Sequence, residues 1–277
     1  MTSVLIQQKE INKMGQIIIQ NETILEPITL IGKMAGICWG ANVKDSIRNY
    51  KRGLGCIKSN HGRTIEFPDV YMVLDGYSAR VIREFYTHIG GAPTRLQAST
   101  RYIDYEHGFD SICPSSIKNN KEKEAWESYT KALREIKDSL QTLDACGVPR
   151  EDSAMLLPLG MTTKIVVKIN ARTLMDMSRQ RMCSRAYWEF RELFWDIYNA
   201  LCEYSEEWRT LVTQTFMAKC DACGYCIEEK CCGKHPSKEE FFALAEEGKK
   251  FRKMIKELQS SNKEDKESYY NIIQKYI

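Results

Sequence analysis

The 277-residue sequence contains no apolar run approaching the roughly 20 residues that a membrane-spanning helix requires, so no helical membrane span is expected. It also lacks a charge bias, because 40 basic residues stand against 37 acidic ones for a net +3. That balance argues against a nucleic-acid coat or an acidic-ligand sponge and leaves room for a local basic pocket. The first residues lack the apolar core of a secretory signal, since Gln7, Gln8, Lys9 and Glu10 break up the few apolar side chains. No internal repeat is present. Eleven cysteines are there, an odd count, and without a signal they are expected to be reduced thiols of a cytoplasmic protein. A chain of this length can bury one sizeable core, or one domain with an added subdomain.

The chain mixes short strand patterns with long helical ones, which predicts an α+β fold. Ile17-Ile18-Ile19 reads as a strand, and Ile24 to Cys38, with Gly32 and Gly36, as a strand entering a turn. Asp45 caps a helix through Tyr50, and Gly53, Gly55, Asn60 and Gly62 mark the loop after it. Phe67–Leu74 reads as a strand, and Ser78–Tyr86 as a helix broken by Gly90, Gly91 and Pro93. Lys118–Ala145 has the stripe of one amphipathic helix in Trp126, Tyr129, Leu133, Ile136 and Leu140. Thr163–Ile169 is β-branched and reads as a central strand, and Asn170–Trp208 is the longest helical pattern. Beyond Met217 the composition turns cysteine-dense, and a last amphipathic helix spans Lys238–Gln259. These shifts predict a first domain over 1–216 and a second unit over 217–277.

Three constellations carry chemistry. In Gly90–Tyr102, two glycines and a proline permit an irregular backbone, and Arg95, Ser99, Thr100 and Arg101 add charge and short donors. Such a segment suits a phosphate, and it equally suits an ordinary Gly/Pro turn with surface arginines. Projected as one helix, Asn170–Trp195 places Asn170, Leu174, Met177, Arg181, Arg185, Trp188 and Trp195 on one largely apolar face. Arg181 in that face must pair with a core carboxylate or meet an anionic ligand. Cys220, Cys223, Cys226, Cys231 and Cys232, followed by His235, are dense enough for a structural zinc knuckle. Reduced surface thiols and an iron–sulfur site are the alternatives.

Two segments, Arg83–Tyr102 and Leu157–Glu189, resemble the signature segments of the flavin-dependent thymidylate synthases. The first is carried by Gly76-Tyr77-Ser78, Arg83, Glu84, His88 and Ser99-x-Arg101-Tyr102, with His61-Gly62-Arg63-Thr64-Ile65-Glu66-Phe67 upstream. The second is carried by Leu157-Pro158, Asn170-Ala171-Arg172-x-Leu174, Arg181 and Ala186-x-Trp188-Glu189-x-Arg191. The likeness extends over residues 28–210. It implies a central twisted, mostly antiparallel sheet with long helices, in a homotetramer with shared active sites. It further implies methylation of dUMP to dTMP, with methylenetetrahydrofolate as one-carbon donor, FAD as hydride carrier and NADPH as reductant.

Carried over residue by residue, the resemblance makes Arg181 the catalytic residue, polarising the uracil ring. Glu84, Gln97, Ala98, Ser99, Thr100 and Arg101, with Arg181, would hold dUMP. Arg63, Thr87, His88, Ile89, Arg95, Asn170, Arg172, Asp176 and Arg185 would hold FAD. The chain departs from the family pattern at Thr87 and Ile89, where arginines flank the histidine, and at Gln97, where a glutamate is usual. Ala154 replaces a phosphate-gripping arginine, for which Arg150 is the candidate substitute, and Asp176 replaces an asparagine. A relative that modifies another pyrimidine nucleotide, or makes a hydroxymethyl product, is the alternative within the class. Outside it stands a nucleotide- or nucleic-acid-binding protein built around a zinc knuckle, against which the charge balance counts.

Overall fold

The computed structural model describes residues 15–88, 94–105 and 108–260, and Gly90, Gly91 and Pro93 lie outside them. The chain divides into two compact units, Met1–Met217 and Ala218–Ile277. In the first unit, strands β1 (Gln16–Ile19), β2 (Asp69–Ser78), β3 (Thr94–Gln97) and β4 (Thr162–Asn170) form an antiparallel sheet in the order β1-β2-β4-β3. The α+β class is as the sequence patterns predict, and the antiparallel sheet is as the family resemblance implies. Alternation sets the two faces: Val70, Met72 and Leu74 sit opposite Ile169, Val167 and Ile165, and all six are buried. Near the end of β2 the register slips by one residue between Asp75 and Tyr77. Gly76, at φ 81°, takes the left-handed conformation that such a bulge favours.

Helices α1 (Pro27–Cys38) and α2 (Ser46–Lys58) help close the core, and both depart from the sequence reading. Residues 24–38 do not form a strand and turn. Pro27 starts a helix, and Ile28, Ile31, Gly32, Ala35 and Gly36 recur at helical spacing on its buried face. Asp45 does cap α2, its Oδ1 accepting from Arg48 N at 3.1 Å. The helix continues through Gly53 and Gly55, however, where a loop was expected. The reason is close packing: a Cβ on Gly32 would lie 1.8 Å from Asn49 O, and one on Gly53 would lie 2.0 Å from Ile28 O. Gly32→Ala is therefore expected to destabilise the fold by about 3 kcal/mol or more, because the atom it meets is backbone. Gly55 faces open space, and Gly55→Ala is expected to stabilise α2 by up to about 1 kcal/mol. Urea midpoints of the two variants check the contrast.

Past β2 run α3 (Ala79–Phe85), the short α4 (Ser115–Lys118) and the long α5 (Lys123–Ala145). The amphipathic helix expected from Lys118 thus begins five residues later. Asn120 interrupts it, its side chain accepting from Glu122 N at 3.0 Å in place of a helical bond. Leu133, Ile136 and Leu140 pack with Phe109 and Met161 in a small cluster outside the main core. Short α6 (Arg150–Ser153) precedes β4.

The single long helix expected over 170–208 is in fact three: α7 (Ala171–Arg181), α8 (Trp188–Tyr204) and α9 (Glu206–Thr215). The first break is held by Arg191, whose NH1 donates to Ser184 O at 2.8 Å and Ala186 O at 3.4 Å. At the second, Ser205 Oγ caps α9 by accepting from Trp208 N at 3.1 Å and donates to Leu25 O at 2.7 Å. Arg181 ends α7, so Arg185, Trp188 and Trp195 do not share its face. Phe190, Leu193, Phe194, Ile197 and Leu201 supply the buried stripe of α8.

In the second unit, α10 (Lys219–Cys223) ends at Gly224, with φ 83°, and α11 spans Lys238–Ser260. Ser237 and Glu240 form a capping box at the start of α11, with bonds of 2.7 and 3.2 Å. Among the described residues, no helix is long and apolar enough to cross a membrane.

Candidate active site

The site is built at the junctions between strands and helices. β2 runs into α3 through Ser78, whose Oγ caps the helix by accepting from Val81 N at 3.1 Å. β4 runs into α7 through Asn170, whose Oδ1 accepts from Thr173 N at 2.8 Å. The C-terminal ends of the two helices meet. There Arg181 Nε donates to His88 Nε2 at 2.9 Å, and its NH1 stands 3.6 Å from Glu84 Oε2. Phe190 of α8 is the platform beneath them, with its ring centroid 4.4 Å from the Arg181 guanidinium carbon and 5.8 Å from the His88 ring. Arg181 is thus paired with a carboxylate and an imidazole together, on an aromatic face.

Burial, and secondarily the Arg181 charge, hold His88 below its ordinary pKa of 6.5. Burial also lowers the pKa of Arg181, while Glu84 pulls it back up. The hydrogen bond requires an unprotonated Nε2 on His88. Because the folded pKa is depressed, the stabilisation is present above about pH 6.5 and is lost as pH falls through the folded value. Urea midpoints between about pH 7.5 and 5 are expected to fall for the parent chain and to stay flatter for His88→Gln. Parallel profiles would remove His88 as the titrating group.

Beside this pair opens a cleft of about 530 Å³. Five of the residues expected at the flavin line it: Arg63, His88, Asn170, Arg172 and Asp176. Arg172 Nε donates to Asp176 Oδ2 at 2.8 Å, and Arg179 NH1 stands 3.6 Å from Asp176 Oδ1. Glu66, Thr173, Met177 and Gln180 also line the cleft, and none of the four was expected at a ligand. Thr173, Asp176, Met177 and Gln180 recur at three- and four-residue spacing, so a projection anchored on Asn170 and Asp176 points to this face.

The remaining expected residues lie elsewhere. Thr87 Oγ1 donates to Glu84 O at 2.7 Å, Arg185 is exposed in the turn after α7, and Ile89 lies outside the described residues. Arg95 stacks over the Tyr86 ring at 4.3 Å, and its NH1 is buried with no partner among the described residues. Gln97 Nε2 donates to Thr163 Oγ1 at 3.4 Å, and Ala98 N to Lys164 O at 2.8 Å. Ser99, Thr100 and Arg101 form a turn in which Ser99 Oγ accepts from Arg101 N at 3.3 Å. Arg101 Nε is 2.7 Å from Glu151, and Arg150 NH2 is 2.6 Å from Asp104. None of residues 97–101 lines the cleft.

Sequence reasoning quoted Glu189 but gave it no role. It is fully buried and accepts from Ser78 N at 2.7 Å, Ser78 Oγ at 2.6 Å and Tyr187 OH at 3.2 Å. These bonds tie the start of α8, and with it the Phe190 platform, to the start of α3. In the second unit, the ligand atoms of Cys220, Asp221 and His235 lie within 4.8 Å of one another. The Cys226 thiol lies close enough to Cys231 and Cys232 to interact electrostatically with them, and Cys223 Sγ faces Tyr225 O at 3.1 Å.

Comparison with known proteins adds independent findings. The sequence profile of the thymidylate synthase complementing protein family matches residues 22–204. A flavin-dependent thymidylate synthase of Nitratidesulfovibrio vulgaris is 30% identical over 212 residues, covering 72% of this chain and 82% of that protein. One from Saccharolobus solfataricus is 42% identical over 87 residues, 31% of this chain and 32% of its own. Among solved structures, a UMP/dUMP methylase of Streptomyces cacaoi bound with 5-Br dUMP superposes with a TM-score of 0.58 at 16% identity, covering 73% of this chain and 96% of that one. A flavin-dependent thymidylate synthase of Helicobacter pylori complexed with FAD and dUMP gives a TM-score of 0.53 at 15% identity, covering 71% and 99%. At those identities the superpositions show a shared fold. The profile match covers more than half of the chain, which therefore belongs to the thymidylate synthase complementing protein family, the enzyme family of the flavin-dependent thymidylate synthases.

Proposed function

We propose that this chain methylates dUMP to dTMP, with methylenetetrahydrofolate as one-carbon donor, FAD as hydride carrier and NADPH as reductant, in a homotetramer with shared active sites. The observation that carries this reading is the Arg181–His88 pair standing beside a cleft lined by arginines. The residues present fit a flavin dinucleotide. Arg63 and Arg172 offer planar guanidinium donors suited to a pyrophosphate. A Cβ on Gly62 would lie 1.7 Å from Arg172 NH1, so glycine keeps that arginine's place open. Bound there, FAD would supply hydride chemistry that no side chain of the cleft supplies.

The protein's own part is orientation and charge. Arg181, fixed by His88 and Glu84, presents a positive charge where negative charge grows on a uracil carbonyl during addition to the ring. Ser99 and Arg101 are offered to the nucleotide phosphate. The Arg101–Glu151 pair is largely exposed, so exchanging Glu151 for a phosphate costs little. Shared sites draw support from the sheet's outer face. Ile18, Val73, Val166 and Leu96 lie in register across all four strands, and Ile18, Val166 and Leu96 are 42%, 41% and 72% exposed. Such an apolar row suits subunit packing.

A second reading, methylation of UMP, is favoured by the fold likeness to the Streptomyces cacaoi UMP/dUMP methylase and by the missing arginines at Thr87 and Ala154. One experiment separates them. The purified chain is given dUMP or UMP with FAD, methylenetetrahydrofolate and NADPH, and the product is identified by mass. A methyl product from dUMP supports the main reading, and one from UMP alone supports the second. A hydroxymethyl product corrects the reaction. A colourless protein with no product from either nucleotide overturns both.

A further inference from the structure

We propose that Cys220, Cys226, Cys231 and His235 form a structural zinc site that assembles the second unit, with Asp221 orienting the histidine. The inference starts from what holds this segment together. Among the described residues after Met217, Ala218 alone is a buried apolar side chain. The other apolar packing is a cluster of three rings, Tyr225, Phe241 and Phe242, of which Phe242 is half exposed. Residues 219–237 nevertheless follow a fixed path. Gly224 closes α10 with its N–H on Cys220 O at 2.8 Å, and Cys226 N donates to Pro236 O at 2.7 Å, folding the chain back on itself. A segment this small with so little core needs a staple.

Part of the donor set for that staple is already gathered. The ligand atoms of Cys220 and His235 lie within 4.8 Å of each other, together with a carboxylate oxygen of Asp221. Cys231 Sγ is 3.2 Å from His235 O and accepts from Gly233 N at 3.3 Å. The latter is the kind of N–H bond that steadies a metal-bound thiolate. Cys226 is brought to the same fold-back by its N–H on Pro236 O, next to His235, and its thiol lies close enough to Cys231 to interact electrostatically. Three thiolates and an imidazole suit a tetrahedral zinc ion, which prefers soft sulfur and nitrogen ligands and closes its shell at four. Asp221 Oδ1 lies 2.7 Å from His235 Nε2 and Lys234 Nζ 2.7 Å from Asp221 Oδ1. A carboxylate on the imidazole is the usual arrangement that fixes a ligating histidine, and the lysine offsets the negative charge of the thiolates. Cys223 donates to Tyr225 O two residues on, whereas Cys231 donates to the carbonyl of the histidine itself, so Cys223 is left out of the set.

The test uses the full chain purified under reducing conditions, with elemental analysis and zinc titration against a chromophoric chelator. The expected result is about one zinc ion per chain. Cys220→Ser, Cys231→Ser and His235→Ala should each abolish it, and Cys223→Ser should retain it. Asp221→Ala should weaken zinc binding by about 10–100-fold without abolishing it. Removing zinc should expose residues 218–237 to limited proteolysis, which gives a readout independent of any activity. A metal-free parent chain would overturn the proposal. So would iron with visible charge-transfer absorption, or full zinc retention in both Cys220→Ser and Cys231→Ser.

Discussion

Arg181→Lys is expected to lower kcat by about 10²–10³-fold, the scale of losing one preorganised donor to a developing anion. Lysine keeps the charge but loses the fork. Its ammonium cannot donate from an Nε position to His88 and reach toward Glu84 at the same time, as the guanidinium does at 2.9 and 3.6 Å. It also loses the flat contact on Phe190. The charge is therefore present but misplaced, and the loss should appear in kcat more than in KM for the nucleotide. Flavin retention should be nearly unchanged, since Arg181 does not line the cleft. An Arg181→Lys enzyme with more than a third of parental turnover would show that this guanidinium is a core ion pair and nothing more.

Glu189→Ala is expected to destabilise the first unit by about 3–5 kcal/mol. Each buried donor left without a partner costs about 1–3 kcal/mol, and the substitution strands Ser78 N and Ser78 Oγ in the core along with Tyr187 OH at its edge. Glu189→Gln keeps one oxygen acceptor and should recover part of the loss. The consequence should reach the site. Glu189 joins α8 to the β2–α3 junction, so the Phe190 platform, Glu84 at the end of α3 and His88 just beyond it are placed relative to each other through it. A urea midpoint shift with an unchanged slope, accompanied by weaker flavin binding, is the expected outcome. A stability loss below about 1 kcal/mol would contradict the accounting of donors.

The helices of this chain were legible where periodicity was uninterrupted. Asp45 announced its cap, and Ser78–Tyr86 and Lys238–Gln259 were read nearly to their ends. Failure came where glycine stood inside an element. Gly32, Gly36, Gly53 and Gly55 read locally as turns, yet Gly32 and Gly53 are there because the facing backbones come so close. That approach is a relation between two helices, and neither helix's sequence contains it. The breaks at 182–187 and at Ser205 were hidden for the same reason. The bonds that stabilise them run from Arg191 to nearby carbonyls and from Ser205 to Leu25, partners that exist only once the chain has folded.

The sequence by itself determined the class and the chemical alphabet: an α+β fold, the family, and a set of arginines, one histidine and a cysteine-dense tail. The class and the alphabet follow from periodicity and residue type, which are local properties, and the family from the resemblance of two segments to its signatures. Only the tertiary structure decided which of these groups meet. It put His88 on Arg181 and five of the expected flavin residues around one cleft, and left residues 97–101 outside it. It also gave Glu189 the junction between α3 and α8 and drew Cys220, Asp221 and His235 together. Pairings of that kind join residues far apart in the chain, and their geometry is fixed by packing in three dimensions, where single-residue preference no longer discriminates.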